Sequence, residues 1–497
     1  MNPSPTPETE AMGHTNPFDD DKLHEECGVF GIFGHADAAA LTALGLHALQ
    51  HRGQEAAGIV SYHRDTQQYY SHRGLGHVGD NFGRDTIIKQ LPGTIAIGHN
   101  RYATTGDTVL RNVQPLFAEL SFGGFAVCHN GNLTNSYALR QRLVNRGCIF
   151  QSTMDTETIL HLVAISDYST VVDRIIDAAR QIEGAYSLVA MTCDAVVGVR
   201  DPHGVRPLVM GRLDGSYILT SETCALDIIG AEYIRDIDPG ELVVITEAGV
   251  RSIKPFPKQP RRFCIFEYIY FARPDSIIEG RSVYASRTRI GAELARESHV
   301  EADVIIPVPD SGVPAAVGYA HESGIPFELG IIRNHYVGRT FIEPTDSIRH
   351  LGVKLKHNAN RAVIEGKRVV LVDDSIVRGT TSRKIVDMVR RAGAKEVHMR
   401  ISSPPTTNPC YYGIDTPEKE ELMASRFDLA GMTREIGVDS LSYITMDGLY
   451  RAMGEDGRNA AQPQYCDACF SGEYPISVFD RQSGKSPVQL SLLSESA

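Results

Sequence analysis

The chain has 497 residues, with 49 Lys plus Arg against 61 Asp plus Glu, a formal charge of −12 and a hydrophobic fraction of 42%. That length accommodates two large domains with tails, and the acidic balance argues against a nucleic-acid binder, which needs concentrated Lys and Arg. No apolar run approaches the roughly 18 residues of a membrane span and no basic-then-apolar export signal opens the chain, so a cytoplasmic protein with neither nucleic-acid nor membrane partners is expected.

Residues 1–26 hold four prolines and seven acidic residues and few large apolar ones, which predicts a disordered leader. At Cys27 the pattern changes to CGVFGIFG, a buried-strand run, followed by the helical AAALTALGLHALQHRG. From there to 255 the strand-like runs GTIAIGH, GGFAVCHNG, AYSLVAM and ELVVITEAG recur with few long helical patterns between them, predicting an α+β domain rich in sheet. KPFPKQPRRF (254–263), with three prolines and four basic residues, reads as a crossing segment. Over 256–480 continuous apolar strands (ADVIIPVPDSG, GKRVVLVDDS, EVHMRISSPP) alternate with helices such as SRKIVDMVRRAGA, the signature of βαβ units and a parallel sheet with ligands at strand C-termini. The Ser-rich residues 481–497 read as a loose tail.

VVLVDDSIVRGTT (369–381) places two acids at a strand end and a small-residue loop with Ser375, Gly379, Thr380 and Thr381 at a helix start. Loop N–H groups, hydroxyls and the positive helix end form an anion site. Asp373 and Asp374 can accept hydrogen bonds from a vicinal diol and help hold hydrated Mg²⁺; two acids alone would equally fit a solvated strand end. The full pattern resembles the phosphoribosyl pyrophosphate (PRPP) motif of the type I phosphoribosyltransferases, which implies Asp373 and Asp374 on the ribose hydroxyls and residues 375–381 around the 5′-phosphate. PVPDSGVPAA (307–316) is similar to that family's pyrophosphate loop, implying Asp310, Ser311 and Gly312 near the diphosphate and its Mg²⁺, with Ser311, Asp373 and Asp374 about the metal. RNHYVGRTFIEP (333–344) resembles the loop that closes over PRPP and excludes water. Arg339, Lys354 and Lys356 could neutralise the leaving diphosphate; as single basic residues they are equally ordinary surface charge.

A thiol at a chain's amino terminus can use its own α-amine as base. Cys27 qualifies once residues 1–26 are removed; taken alone it reads as a packed core cysteine. CGVFGIFG, GHNRYATTG (98–106), HNGNLTN (129–135) and MDTETI (154–159) resemble the processed start and glutamine-site motifs of the N-terminal-nucleophile (class II) glutamine amidotransferases. The resemblance implies a layered αββα glutaminase domain over 27–255, Arg101 on the glutamine α-carboxylate, Asp155 on its α-ammonium, and an oxyanion hole from the Asn130 amide and the Gly131 N–H. HNGN is otherwise a common turn.

Together the two resemblances imply an enzyme that hydrolyses glutamine through Cys27 and passes ammonia to C1 of PRPP, giving 5-phosphoribosylamine, glutamate and diphosphate at the start of purine synthesis. They also imply a homotetramer inhibited by purine nucleotides. Another class II amidotransferase would not need the PRPP motif, and a non-catalytic PRPP- or nucleotide-sensing regulator would not need intact Cys27, Arg101, Asn130 and Asp155.

Nine cysteines, an odd number without an export signal, make a poor disulfide framework. Cys466 and Cys469 form a C-x2-C compatible with a metal, a cluster, redox chemistry or nothing. With Cys264 and Cys410 their contexts resemble the iron-sulfur subclass of PRPP-using amidotransferases, which implies one [4Fe-4S] cluster on Cys264, Cys410, Cys466 and Cys469; zinc on the same thiolates is the alternative. Cys128, Cys148, Cys193 and Cys224 are expected in core packing.

Overall fold

The computed structural model describes residues 24–25, 27–102, 108–333 and 357–482. Arg339, Lys354 and Lys356, most of the leader and the tail from 483 lie outside the described residues.

The amino-terminal half is built on two facing antiparallel sheets. One has seven strands in the order Glu232–Asp236, Val209–Leu213, Ser216–Thr220, Gly28–Phe33, Ile95–Arg101, Ala56–His63, Gln68–Leu75. The other has six, Gly249–Ile253, Leu242–Thr246, Val196–Arg200, Gly184–Met191, Gly123–Leu133, Leu116–Leu120. Gly28–Phe33 lies fourth of seven and is buried along its whole length, which explains its unbroken apolar run. Val29, Ile97, Cys128, Val189, Leu219 and Val243 interlock between the sheets; truncating Ile97 or Leu219 to Ala would cost about 2–5 kcal/mol.

Helices close both outer faces. Ala38–Ala48 and Cys224–Ile229 cover the first sheet, and Ser136–Asn145, Thr156–Ile165 and Val171–Ala179 cover the second. The result is the expected αββα layering, though the sequence underreads its helices. Thr156–Ile165 is buried on nearly every side and carries no polar stripe to betray its period.

The second half centres on a four-stranded parallel sheet, Val304–Pro307, Arg368–Asp373, Glu396–Ile401, Ser440–Tyr443. The helix Thr380–Arg391 turns Ser382, Ile385, Val386 and Val389 inward at helical spacing, and Val283–Glu297 and Val313–Ser323 pack on the opposite face. The fourth strand, SLSY, is short and half polar and was not anticipated.

Three long-range contacts close the chain within and between the halves. Phe263–Cys264 pairs in parallel with Tyr465–Cys466, bringing Cys264 opposite Cys466. Asp480 returns to the first half, where its carboxylate accepts the Tyr137 and Ala138 N–H groups at 2.8 and 3.2 Å and so caps Ser136–Asn145. His24–Glu25, from the leader, pairs antiparallel with Ile414–Asp415.

The cysteine expectations need one correction. Cys128 and Cys224 are buried and Cys148 is half-buried, but Cys193 is exposed; it sits in the tight turn joining Gly184–Met191 to Val196–Arg200, which core packing does not reach. Among the described residues no helix is long and apolar enough to cross a membrane.

Candidate active site

Cys27 stands just before the central strand Gly28–Phe33, buried, its N–H donating to the Arg52 carbonyl at 3.0 Å and its thiol 4.0 Å from the Tyr102 carbonyl. Its φ of 137° is a conformation that a side chain disfavours. Arg101, fully buried, ends the neighbouring strand Ile95–Arg101.

Asn130 and Gly131 come from the facing sheet. The Asn130 amide donates to the Ser221 hydroxyl at 3.4 Å, and the same hydroxyl accepts the Val29 N–H at 3.0 Å. Ser221 therefore holds the Asn130 amide at the Cys27 end of the central strand. Gly131 has φ 135°, and a Cβ there would lie 2.0 Å from the Ala185 carbonyl oxygen, so only glycine fits.

Asp155 precedes Thr156–Ile165; one carboxylate oxygen accepts the Leu133 N–H at 3.0 Å and the other lies 3.5 Å from His129 Nδ1. Burial alone would raise this carboxyl, but His129 and the Leu133 N–H outweigh it and hold it below its ordinary value. Asp155 is thus kept anionic beside the Asn130–Gly131 strand. His99 is pushed down to about 3 by burial, and its ring stands 3.1 Å from the His129 carbonyl oxygen, so it remains neutral and donates there.

Behind Cys27 lies a charged cluster that the sequence did not disclose. Arg52 is fully buried between Glu222 of the first half and Glu267 of the second, the latter 2.8 Å away. Glu222 also accepts from His51 and from the Ser276 hydroxyl, each at 2.6 Å, and Arg206 lies 3.3 Å from Glu267. Burial opposes the charge on Arg52, but the two carboxylates more than compensate and raise it above its usual value. HRGQ and SETC give no hint of this in sequence, where charged residues read as surface.

The second constellation gathers at the strand ends of the parallel sheet. Asp373 and Asp374 are buried at the C-terminus of Arg368–Asp373; Asp373 accepts the Asp374 N–H at 2.9 Å, and Ser375 and Ser311 donate to Asp374, Ser375 at 2.6 Å. Gly379, φ 85°, starts Thr380–Arg391, placing Thr380 and Thr381 in its first turn. Gly312 precedes Val313–Ser323, and the exposed Asp310 pairs with Arg333, the first residue of RNHYVGRTFIEP. Arg287, pushed down to about 10 by burial, lies within the field of Asp374 and donates to the Tyr268 and Ala272 carbonyls at 3.0 and 2.7 Å. It too escaped the sequence reading.

The hydroxyl of Ser311 and the carboxylates of Asp373 and Asp374 form a hard-oxygen set suited to Mg²⁺, which takes a few protein oxygens and completes its shell with water and phosphate. Among the described residues no group of three or more His, Cys, Asp or Glu side chains is placed to hold a metal ion.

Cys264 and Cys466 belong to one buried apolar cluster, and Cys410 and Cys469 pack against it. Burial pushes Cys264 up to about 12 and raises Cys466 and Cys469 well above the ordinary thiol value, and each of these three also feels Cys410. The Cys410 loop leans on the first site: Tyr411 C=O accepts the Asn132 amide at 3.0 Å, and a Cβ on Gly413 would lie 2.8 Å from Gly131 Cα.

Comparison with known proteins finds a domain for each half. Residues 99–227 match a glutamine amidotransferase domain and residues 280–403 a phosphoribosyl transferase domain. The chain is 59% identical to an amidophosphoribosyltransferase of Rhizobium etli, covering 96% of this chain and 97% of that protein. It is 54% identical to a chloroplastic amidophosphoribosyltransferase of Glycine max over 93% of this chain and 80% of the relative. A solved structure of the glutamine PRPP amidotransferase from B. subtilis, complexed with ADP and GMP, superposes with a TM-score of 0.86 at 47% identity, covering 91% of this chain and 98% of that one.

Proposed function

Because the chain belongs to the amidophosphoribosyltransferase family, which moves glutamine nitrogen onto PRPP at the first step of purine synthesis, we propose that Cys27 is its nucleophile and Asp373 and Asp374 its ribose anchors. One observation carries the first assignment: Ser221 joins the Asn130 amide to the N–H of Val29, two residues from Cys27. With the leader removed, the Cys27 amine accepts the thiol proton and the thiolate adds to the glutamine carboxamide. The Asn130 amide and the Gly131 N–H take the charge of the tetrahedral oxygen. Arg101 and Asp155 hold the two ends of the amino acid.

Ammonia released there is consumed in the second half. Asp373 and Asp374 orient the ribose, residues 375–381 bind the 5′-phosphate, and Ser311, Gly312 and Asp310 face the diphosphate. Ser311, Asp373 and Asp374 would hold Mg²⁺, which neutralises charge on the diphosphate as it leaves. Arg339, Lys354 and Lys356 are proposed to assist that departure. A [4Fe-4S] cluster on Cys264, Cys410, Cys466 and Cys469, supported by their gathering at one apolar cluster, would have a structural role, because neither half-reaction transfers electrons; zinc on the same thiolates is the alternative. The family reading also brings a cytoplasmic homotetramer, a removed leader and purine-nucleotide inhibition; the relative complexed with ADP and GMP supports the last.

The decisive experiment pairs two variants with two nitrogen donors. Cys27→Ser should lose glutamine-dependent activity and keep the ammonia-dependent reaction, because a hydroxyl is far less ionised than a thiol; Asp373→Asn should weaken PRPP use with both donors. An Asp373→Asn enzyme impaired only with glutamine would reverse the assignment of the two halves.

A further inference from the structure

The two oxyanion donors are held by different means. Gly131 donates from the backbone, which its register with Tyr186 in the six-stranded sheet fixes in place. Asn130 donates from a side chain whose terminal torsion has a broad, shallow minimum, so its amide needs a partner to set its plane. Among the described residues the Asn130 side chain makes one hydrogen bond, the 3.4 Å donation to the Ser221 hydroxyl, while its amide oxygen is buried without a partner. The direction of the amide therefore depends on Ser221.

Ser221 is itself fixed from two sides. It directly follows the strand Ser216–Thr220; its N–H donates to the Val29 carbonyl at 3.1 Å and its hydroxyl accepts the Val29 N–H at 3.0 Å, so the central strand holds it twice. A serine hydroxyl has two acceptor lone pairs, and Val29 and Asn130 use both. The next two residues are anchored by the second half. Glu222 accepts the Arg273 N–H at 2.9 Å and the Ser276 hydroxyl at 2.6 Å, and the Thr223 hydroxyl accepts the Ile277 N–H at 2.8 Å. Residues 221–223 are all buried, where hydrogen bonds are stronger than in water.

We propose that Ser221 is the positioning residue of the oxyanion hole, taking one N–H of the Asn130 amide so that the other is aimed at the oxygen of the tetrahedral intermediate. The proposal rests on the reading of Asn130 as an oxyanion donor. An amide nitrogen carries two N–H groups; with one on Ser221, the second is left for the substrate in a fixed direction. Ser221 acts through Asn130, and its effect is felt only once charge has moved onto the oxygen, so it governs turnover rather than the binding of glutamine in its ground state. Without it the amide is present but unaimed, which costs less than deleting the amide.

The test is a double-mutant cycle on Ser221→Ala and Asn130→Ala in the full chain. Ser221→Ala should lower glutamine-dependent kcat about tenfold, the rate equivalent of one hydrogen bond, with KM for glutamine and the ammonia-dependent reaction unchanged. Added to Asn130→Ala it should cost nothing more, because the group it positions is already gone. Inhibitors read the same point at equilibrium. The γ-aldehyde of glutamate, which forms a tetrahedral adduct with a thiol, should bind Ser221→Ala about tenfold more weakly, whereas glutamate, which has no such oxygen, should bind variant and parent alike. Ser221→Cys fills nearly the same space with a weak acceptor and should match the alanine variant, so the outcome does not hang on one substitution; retained ammonia-dependent activity certifies the fold of each. Losses that multiply in the double variant, or a raised KM with kcat intact, would overturn the positioning role. An Asn130→Ala enzyme with undiminished glutamine-dependent kcat would instead sink the oxyanion assignment, whatever Ser221 does.

Discussion

Glu267→Gln tests whether the buried charges behind Cys27 bind the two halves together. Glu267 faces Arg52 at 2.8 Å and Arg206 at 3.3 Å, and all three side chains are fully buried. The amide keeps the shape of the carboxylate but leaves two guanidiniums with one negative group fewer, a loss of about 3–5 kcal/mol when a buried pair is broken from one side. For domains of this size that corresponds to a melting point lower by roughly 10 °C. Arg52 also fixes the carbonyl that receives the Cys27 N–H, so glutamine-dependent turnover should fall more than ammonia-dependent turnover. Thermal unfolding and the two activities are measured side by side. A Glu267→Gln enzyme melting within about 2 °C of the parent would refute the reasoning. Acid should act late on this junction. Burial alone would raise Glu222, but Arg52 and His51 hold it well below its ordinary value. The stability it contributes is present above the ordinary glutamate range and is lost only as pH falls through that depressed value.

Asn130→Ala should lower glutamine-dependent kcat by about 10²–10³, the usual effect of deleting an oxyanion donor, and spare the ammonia reaction in a direct comparison of the two assays. Substituting any of Cys264, Cys410, Cys466 or Cys469 should give colourless, unstable protein, while Cys193→Ala, at an exposed turn, should keep the brown colour, iron and sulfide; tightly bound zinc without sulfide would replace the cluster with the zinc alternative. In cluster-free protein the Cys264 thiol, pushed up to about 12, binds its proton more tightly folded than unfolded. Stability from this group is therefore complete below the ordinary thiol range and lost as pH climbs toward 12, which urea titrations at stepped pH would register. Asp480→Ala should cost about 0.5–2 kcal/mol through the lost helix cap, read as an earlier denaturation midpoint.

What the sequence disclosed follows from which signals are local. VVLVDDSIVRGTT announces strand, turn and helix start within one window, and the structure places Asp373, Asp374 and Gly379 accordingly. HNGN and CGVFGIFG are likewise contiguous. The parts that stayed hidden depend on residues far apart in the chain. Ser221 matters only because it bridges Val29 and Asn130, and Arg287 only because its helix runs behind Asp374. Arg52, Glu222 and Glu267 read as solvated charges until the fold buries them against one another. Cys193 was misassigned for the converse reason: a small thiol in a mostly apolar stretch reads as core, while the chain is in fact turning there.

The side-by-side pairing of Phe263–Cys264 with Tyr465–Cys466 bears on the order in which the molecule can be completed during synthesis. The glutaminase sheets have all their strands by residue 253, yet the second half is a ring whose closing residues lie some two hundred positions apart, a long-range contact that forms late. The Asp480 cap on Ser136–Asn145 waits longer still. On the ribosome the first half therefore emerges early but stays unfinished, its junction with the second half uncovered, until the chain has grown past residue 480. A stop codon only slightly before that point would strand a nearly whole polypeptide in an aggregation-prone state, although it would remove none of the substrate-binding residues.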